Sequence, residues 1–484
     1  MVFNSFPFIN FFAVVAPLII LLHRHVKARN IVLLAASYYF YGSWDWRFLG
    51  LIASSTLLDY TVSLKLDSPS APTHIKPARS ARDHALLLTS LVFNLGLLAV
   101  FKYFNFFTDS LVSLLQLSGI SVHARTFNII LPVGISFYTF QTLSYTVDVY
   151  LGRIRAEQSL LTYATYLSMF PQLVAGPIER ASNLLPQLNQ PTTIDLERIW
   201  RGFYLMSWGL FKKVVIADNM ATIVDTAFAT PAANGTVYLL GIYAFAIQIY
   251  GDFSGYTDIA RGTAKVIGFE FPLNFRQPYL SLNPSEFWRR WHISLSTWLR
   301  DYLYIPLGGN RHGEIRTYVN LMITMVLGGL WHGAAWTFVC WGVFHGAILA
   351  IHRILRRPLE FLGRRFQQAP YLWLAVRWLA FFHLTCLGWL LFRAESMAQV
   401  QEMLTSIFTQ PSFDIEPLPK SNLLGLAASV AILVPLEIAQ ERTQDECVVL
   451  ELPIVVRALI YAAGFLALIC FGNLGGREFV YFQF

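Results

Sequence analysis

Charge is scarce in this 484-residue chain. Charged side chains make up 13% of it, where a soluble domain carries about 25%. Cysteine is scarcer still. Cys340, Cys386, Cys447 and Cys470 are scattered and none sits in a CxxC, which excludes a disulfide framework. They read as small buried hydrophobes. No spacing of His, Cys, Asp and Glu suits a metal ion, and no glycine-rich phosphate loop is present. Ser254 lies in GDFSGY, which lacks the GxSxG order and the preceding strand of a nucleophile elbow. Apolar residues are abundant: 55% of the chain is hydrophobic, with 39 Phe, 22 Tyr and 13 Trp, and the mean hydropathy is +0.49. One soluble core cannot hold so many rings, so an ordinary soluble enzyme, a disordered chain and a nucleic-acid-binding domain are excluded. The formal charge of +7 then reads as basic loops beside a membrane, with no nucleic-acid partner.

Spans of about 20 apolar residues cross a bilayer. Candidates lie at 6–22, 30–44, 47–65, 85–102, 103–118, 128–150, 160–176, 202–217, 236–250, 317–334, 335–352, 373–392, 423–438 and 455–472. The expected fold is an all-α polytopic membrane bundle filling residues 1–484 as one integral-membrane domain, with about 11 to 13 crossings plus re-entrant or interfacial helices. No internal repeat is evident. The stretch from Phe6 to Leu22 precedes its basic cluster and lacks a small-residue cleavage site, so it reads as a first membrane helix and not a cleaved signal. Basic loops carry Arg24, Lys27 and Arg29, then Lys65, Lys76, Arg79 and Arg82, then Arg353, Arg356, Arg357, Arg364 and Arg365. The positive-inside rule places them in the cytoplasm and the N-terminus outside. Residues 68–80 and 411–419 read as loops.

Residues 251–316 depart from this pattern. They are too polar to cross lipid and too aromatic for a solvated loop. Asn283, Pro284 and Glu286 form a helix start, with a cap, a proline at the first position and a reciprocal acid. At about 100° per residue, Ser285, Arg289, His292, Ser296 and Arg300 share one stripe. Phe287, Trp291, Leu295, Trp298 and Tyr302 fall opposite. Such a helix either lies in the interface with its arginines on headgroups or lines a polar cavity with its arginines on phosphates. Pro278, Pro306, Gly308 and Gly309 break the chain around it. Irregular backbone at membrane depth needs a cavity or protein cover, which favours the cavity.

His332 stands in GGLWHG, within a stretch from Leu321 to Trp341 that holds no formal charge. A neutral imidazole can serve as a general base, or it can pack and bond a carbonyl. His345 and His383 occupy similar apolar settings, and only the flanking glycines, which admit a substrate or another helix, set His332 apart. The acids Asp148, Asp252 and Asp258 read as structural ion pairs, with Arg261 placed to meet Asp258 at i, i+3.

Longer motifs are YYFYGSWDWRFL at 38–49, PVGISFYTFQTLSYTVDVY at 132–150 and FPQLVAGPIER at 170–180, followed by GDFSGYTDIARG at 251–262. LNPSEFWRRWHISLSTWLRDYLYIPLGGNR at 282–311, GGLWHGAAW at 328–336 and FGNLGGREFVYFQF at 471–484 complete the set. In these motifs, over nearly its whole length, the chain resembles the membrane-bound O-acyltransferase family, in its bacterial branch for alginate O-acetylation. The resemblance implies a helical fold around a central tunnel, with the core motifs in 251–346 and further helices in 394–484. It implies acyl transfer from a thioester to a hydroxyl, with His332 and His292 at the two catalytic positions. Arg289, Arg290, Ser296 and Trp331 beside them are expected to meet substrate. It further implies acetyl-CoA as donor substrate with no cofactor or metal, a bacterial inner-membrane location, and a periplasmic acetyltransferase partner within a polysaccharide-synthesis complex. Other glycans (cellulose or peptidoglycan), D-alanyl transfer to teichoic acid, a non-catalytic transporter of the donor, and an export scaffold are the competing readings.

Overall fold

A computed structural model describes residues 1–67, 79–122, 129–173, 176–473, 477 and 479–480. Most of the loop at 68–80, part of the motif at 170–180 and part of that at 471–484 lie outside the described residues. Among the described residues every regular element is helical. Six helices are long and apolar enough to cross a membrane: Ala81–Leu117, Gly235–Val266, Trp336–Ile354, Pro370–Arg393, Ser421–Thr443 and Ile454–Phe471. Phe6–Leu21 is a shorter apolar helix.

Several boundaries differ from expectation. The two spans expected within 85–118 are one helix of 37 residues, because a π-helical turn at Ala99–Tyr103 absorbs a register change without a break. The span at 236–250 runs on to Val266, so the motif at 251–262 is helical although it is polar. The basic loop at 353–365 is mostly a helix, Arg356–Arg365; the helices expected in 394–484 include Met397–Thr409.

The chain divides into two compact units. The first comprises Met1–Phe203 and Ala260–Pro272. Its polar interior is organised by groups that satisfy helix ends. Arg29 is fully buried and donates to the carbonyls of Leu188 at 2.7 Å and Gln190 at 2.9 Å, at and just past the C-terminal end of helix Ala181–Leu188. Arg79 likewise donates to Leu66, Tyr150 and Val149 carbonyls at 2.7, 2.7 and 2.9 Å. A cation at orphaned C-terminal carbonyls complements both their lone pairs and the helix dipole. Between Leu49–Leu66 and its neighbours, buried Asp59 accepts from Ser90, Asn94, Thr142 and Thr146. Asp148 pairs with Arg153 at 2.9 Å.

The second unit comprises Tyr204–Ile259 and Leu273–Phe484. Within it Gly209 and Gly255 let two helices touch: a Cβ on Gly209 would lie 2.5 Å from the Gly255 carbonyl oxygen, and one on Gly255 2.7 Å from that of Gly209. At the same level a π-helical turn, Lys212–Ala217, aims two adjacent lysines inward. Lys212 meets Asp258 at 2.6 Å and Ser254 at 2.9 Å. Lys213 meets Asp252 at 2.7 Å and Asp218 at 2.8 Å. The intramembrane acids of the 251–262 motif are therefore structural ion pairs, as their cost in lipid requires.

Candidate active site

Helix Gly313–His332 and helix Trp336–Ile354 form a tight hairpin. A Cβ on Gly329 would lie 2.2 Å from the Phe338 carbonyl oxygen, and one on Gly342 would lie 2.5 Å from that of Met325. The glycine beside His332 serves packing too, since a Cβ on Gly333 would meet the Phe338 ring at 2.1 Å. His332 ends its helix and is 3% exposed. Its ring lies 5.0 Å from Trp331, 5.1 Å from Trp341, 5.3 Å from Phe392 and 6.4 Å from His292, centroid to centroid. His345 is buried on the other side of Trp341, 4.5 Å away. His383 is exposed and bonded to Tyr243 at 2.8 Å. Geometry separates three histidines that sequence told apart only by flanking glycines: of these, among the described residues, only His332 lies beside a second imidazole.

The single amphipathic helix expected from Asn283 onward is broken in two. Pro284–Arg290 and Ile293–Leu299 meet at His292, whose φ of +43° is left-handed. A non-glycine residue held there costs on the order of 1–3 kcal/mol and points to a site that over-determines it. Asn274 does so. Its backbone oxygen accepts Ile293 N–H at 2.9 Å. Its Oδ1 accepts Ser294 N–H at 3.0 Å, Ser294 Oγ–H at 2.9 Å and His292 Nδ1–H at 3.2 Å. Because the backbone donor fixes Oδ1 as acceptor, the His292 proton sits on Nδ1 and its lone pair on Nε2. Phe253 and Phe275 close over the ring at 4.6 and 6.3 Å. Burial pushes the His292 pKa down to about 3, so this imidazole is neutral at physiological pH.

The break scatters the expected stripe. His292 and Ser294 are buried, whereas Arg289 and Arg300 are exposed. Ser296 donates to the Trp291 carbonyl at 3.1 Å. Arg290 is no phosphate site in waiting, since it forms a bidentate pair with Glu441 at 2.8 Å and meets Glu286 at 3.0 Å. The opposite aromatic face packs inward as expected at Phe287, Trp291, Leu295 and Trp298. Sequence reading missed Asn274, whose bonds to the His292 segment span 18 to 20 positions, a separation no helical period reports. It also missed Trp341, the ring between His332 and His345.

Phe275 forms one wall of a cavity of about 300 Å³. Lys212, Tyr250 and Ser254 lie at its buried floor, and exposed Arg276 and Gln444 at its mouth. The volume falls at the lower end of small-ligand pockets.

The structure thus sets two buried imidazoles 6.4 Å apart, one clamped in a set tautomer. Comparison with known proteins sets the class. The model of the membrane-bound O-acyltransferase family matches residues 153–392. The chain is 42% identical over 441 residues to a probable alginate O-acetylase of Azotobacter vinelandii, covering 91% of this chain and 84% of that protein. It is 41% identical over 414 residues to the corresponding Pseudomonas aeruginosa protein, covering 85% and 76%. It is 36% identical over 400 residues to a peptidoglycan O-acetyltransferase of Helicobacter pylori, covering 77% and 72%. The chain belongs to the membrane-bound O-acyltransferase family and is an O-acyltransferase of multi-pass membrane architecture.

The Asn274 clamp has a measurable consequence. Asn274→Ala strands His292 and both Ser294 donors, which should lower stability by about 1–3 kcal/mol. Loosening His292 should slow transfer by on the order of tenfold to a hundredfold. Thermal melts and a transfer assay on the same preparation check both, and unchanged transfer in the variant would remove Asn274 from the site.

Proposed function

We propose that this enzyme moves acetyl groups from acetyl-CoA to hydroxyls of an exopolysaccharide, alginate foremost. It works in the bacterial inner membrane with a periplasmic N-terminus and takes the donor from the cytoplasm. It uses no cofactor or metal and acts with a periplasmic acetyltransferase within a polysaccharide-synthesis complex. The observation that supports this reading most is the buried His332–His292 pair at 6.4 Å, in a chain 42% identical to a relative named for alginate O-acetylation.

In this mechanism neutral His332 takes the proton of the attacking hydroxyl. The hydroxyl oxygen bonds to the thioester carbonyl carbon, the carbonyl electrons move onto oxygen, and collapse expels the thiolate. His332 returns its proton to that sulfur, so the ester and the free thiol leave in balance. His292 holds its proton on Nδ1 against Asn274, which suits Nε2 to accept and orient a donor, not to stabilise an oxyanion. That stabilisation falls instead to an indole N–H. Trp341 Nε1 is buried without a hydrogen-bond partner among the described residues, and its ring lies 5.1 Å from that of His332. The cavity beyond Phe275 suits the amide-rich arm of the donor, with Arg276 and Arg289 left for its phosphates and Ser296 and Trp331 lining the way.

Membranes containing the protein, supplied with acetyl-labelled acetyl-CoA, should place alkali-labile label on polysaccharide or on a co-expressed periplasmic partner. Label appearing only as free acetate would overturn the transfer reading. Label on peptidoglycan would favour the second reading, which the 36% identity to the Helicobacter pylori protein supports.

A further inference from the structure

We propose that helix Arg356–Arg365 is a docking surface for anionic lipid headgroups. It joins two membrane-crossing helices, Trp336–Ile354 and Pro370–Arg393. The first carries Trp341, and the second carries Phe392, against His332. None of its own residues is buried. At about 100° per residue, Leu355, Leu359, Leu362 and Phe366 share one face of the helix and its flanks. Phe366 stacks on Trp373 at 5.2 Å, and Gly363 gives that indole room, which fixes the helix against the start of Pro370–Arg393. The rest of the apolar face stays open: Leu355 is 42% and Leu362 40% exposed.

The other face is basic. Its ten residues, RRPLEFLGRR, hold four arginines and one glutamate. Arg356 pairs with Glu360 at 3.0 Å, and Arg365 lies over the Phe361 ring at 5.2 Å. Arg357 and Arg364 fall close together on the polar side. A helix with an open apolar stripe, an excess of arginine and a membrane helix at each end is built to lie in the headgroup layer. Tyr371, 84% exposed, and Trp373 mark the same depth, where aromatic belts form. Charge complementarity selects the anionic headgroups of that layer over zwitterionic ones.

Hydrogen–deuterium exchange on the full chain in nanodiscs tests this. Amides of residues 355–366 should exchange about tenfold more slowly in discs containing phosphatidylglycerol than in discs of phosphatidylcholine alone. The doubly substituted Arg357→Gln/Arg364→Gln chain should lose that difference, while Arg357→Lys/Arg364→Lys keeps it. Both positions are exposed, so the variants fold. Equal exchange in the two lipids, or a difference that survives the glutamine substitutions, would overturn the proposal.

Discussion

His332→Ala should abolish acyl transfer, with a loss of about 10²–10⁴-fold for the proton-transfer role alone. The expectation rests on position: a 3% exposed imidazole at the end of its helix, enclosed by Trp331, Trp341 and Phe392 and facing His292. Alanine also leaves a void among those rings, which by itself destabilises. His332→Asn fills most of that space and retains a polar tip, yet cannot accept a proton at neutral pH. If transfer requires the base, both variants should be inactive, and the asparagine variant should reach the membrane in normal amount. Transfer at the wild-type rate in the asparagine variant would reduce His332 to a packing residue.

Lys213→Met should be the most damaging change outside the histidine pair. Its ammonium bridges Asp252 and Asp218 at 2.7 and 2.8 Å, with all three side chains at most 3% exposed. Removing the cation leaves two carboxylates facing each other in an apolar interior. Breaking a buried pair from one side costs about 3–5 kcal/mol, enough to consume much of a typical folding free energy. Asp252 Oδ2 also accepts Val480 N–H at 2.6 Å, so the damage should extend to that backbone contact. Detergent-extracted yield and melting temperature measure the effect. Adding Asp252→Asn and Asp218→Asn to Lys213→Met should restore part of the loss. A Lys213→Met chain as stable as wild type would show that the cluster contributes nothing.

Much of this was legible in the sequence. Apolar length announced the six helices long and apolar enough to cross, fewer among the described residues than the roughly 11 to 13 crossings expected, and the cap expected at Asn283 is present: its side chain accepts Glu286 N–H at 2.9 Å. The GGLWHG setting flagged His332. What escaped was decided by partners distant in sequence. The helix from Pro284 obeys its period until Asn274 captures three donors of the next turn, and local periodicity carries no trace of that competitor. The 251–262 motif looked too polar to cross lipid because the partners of its acids, Lys212 and Lys213, sit about 40 positions away on a π-helical turn. Arg290 looked available for phosphate until Glu441, 151 positions away, took both of its terminal nitrogens.

Arg29 and Arg79 illustrate how a signal can be hidden by the structure it helps to form. The positive-inside rule counts both among the loop charges that bear on orientation. In the folded protein their guanidinium groups are turned onto the carbonyls of Leu188, Gln190, Leu66, Val149 and Tyr150. A charge the rule counts as a loop signal is thus buried at Arg29 and half-buried at Arg79 in the folded protein. A map of surface potential on the folded protein therefore understates the basic residues its sequence holds. Arginine suits both tasks because its charge survives burial and its fork spans several oxygens; lysine in its place would still orient the chain and would leave helix ends open.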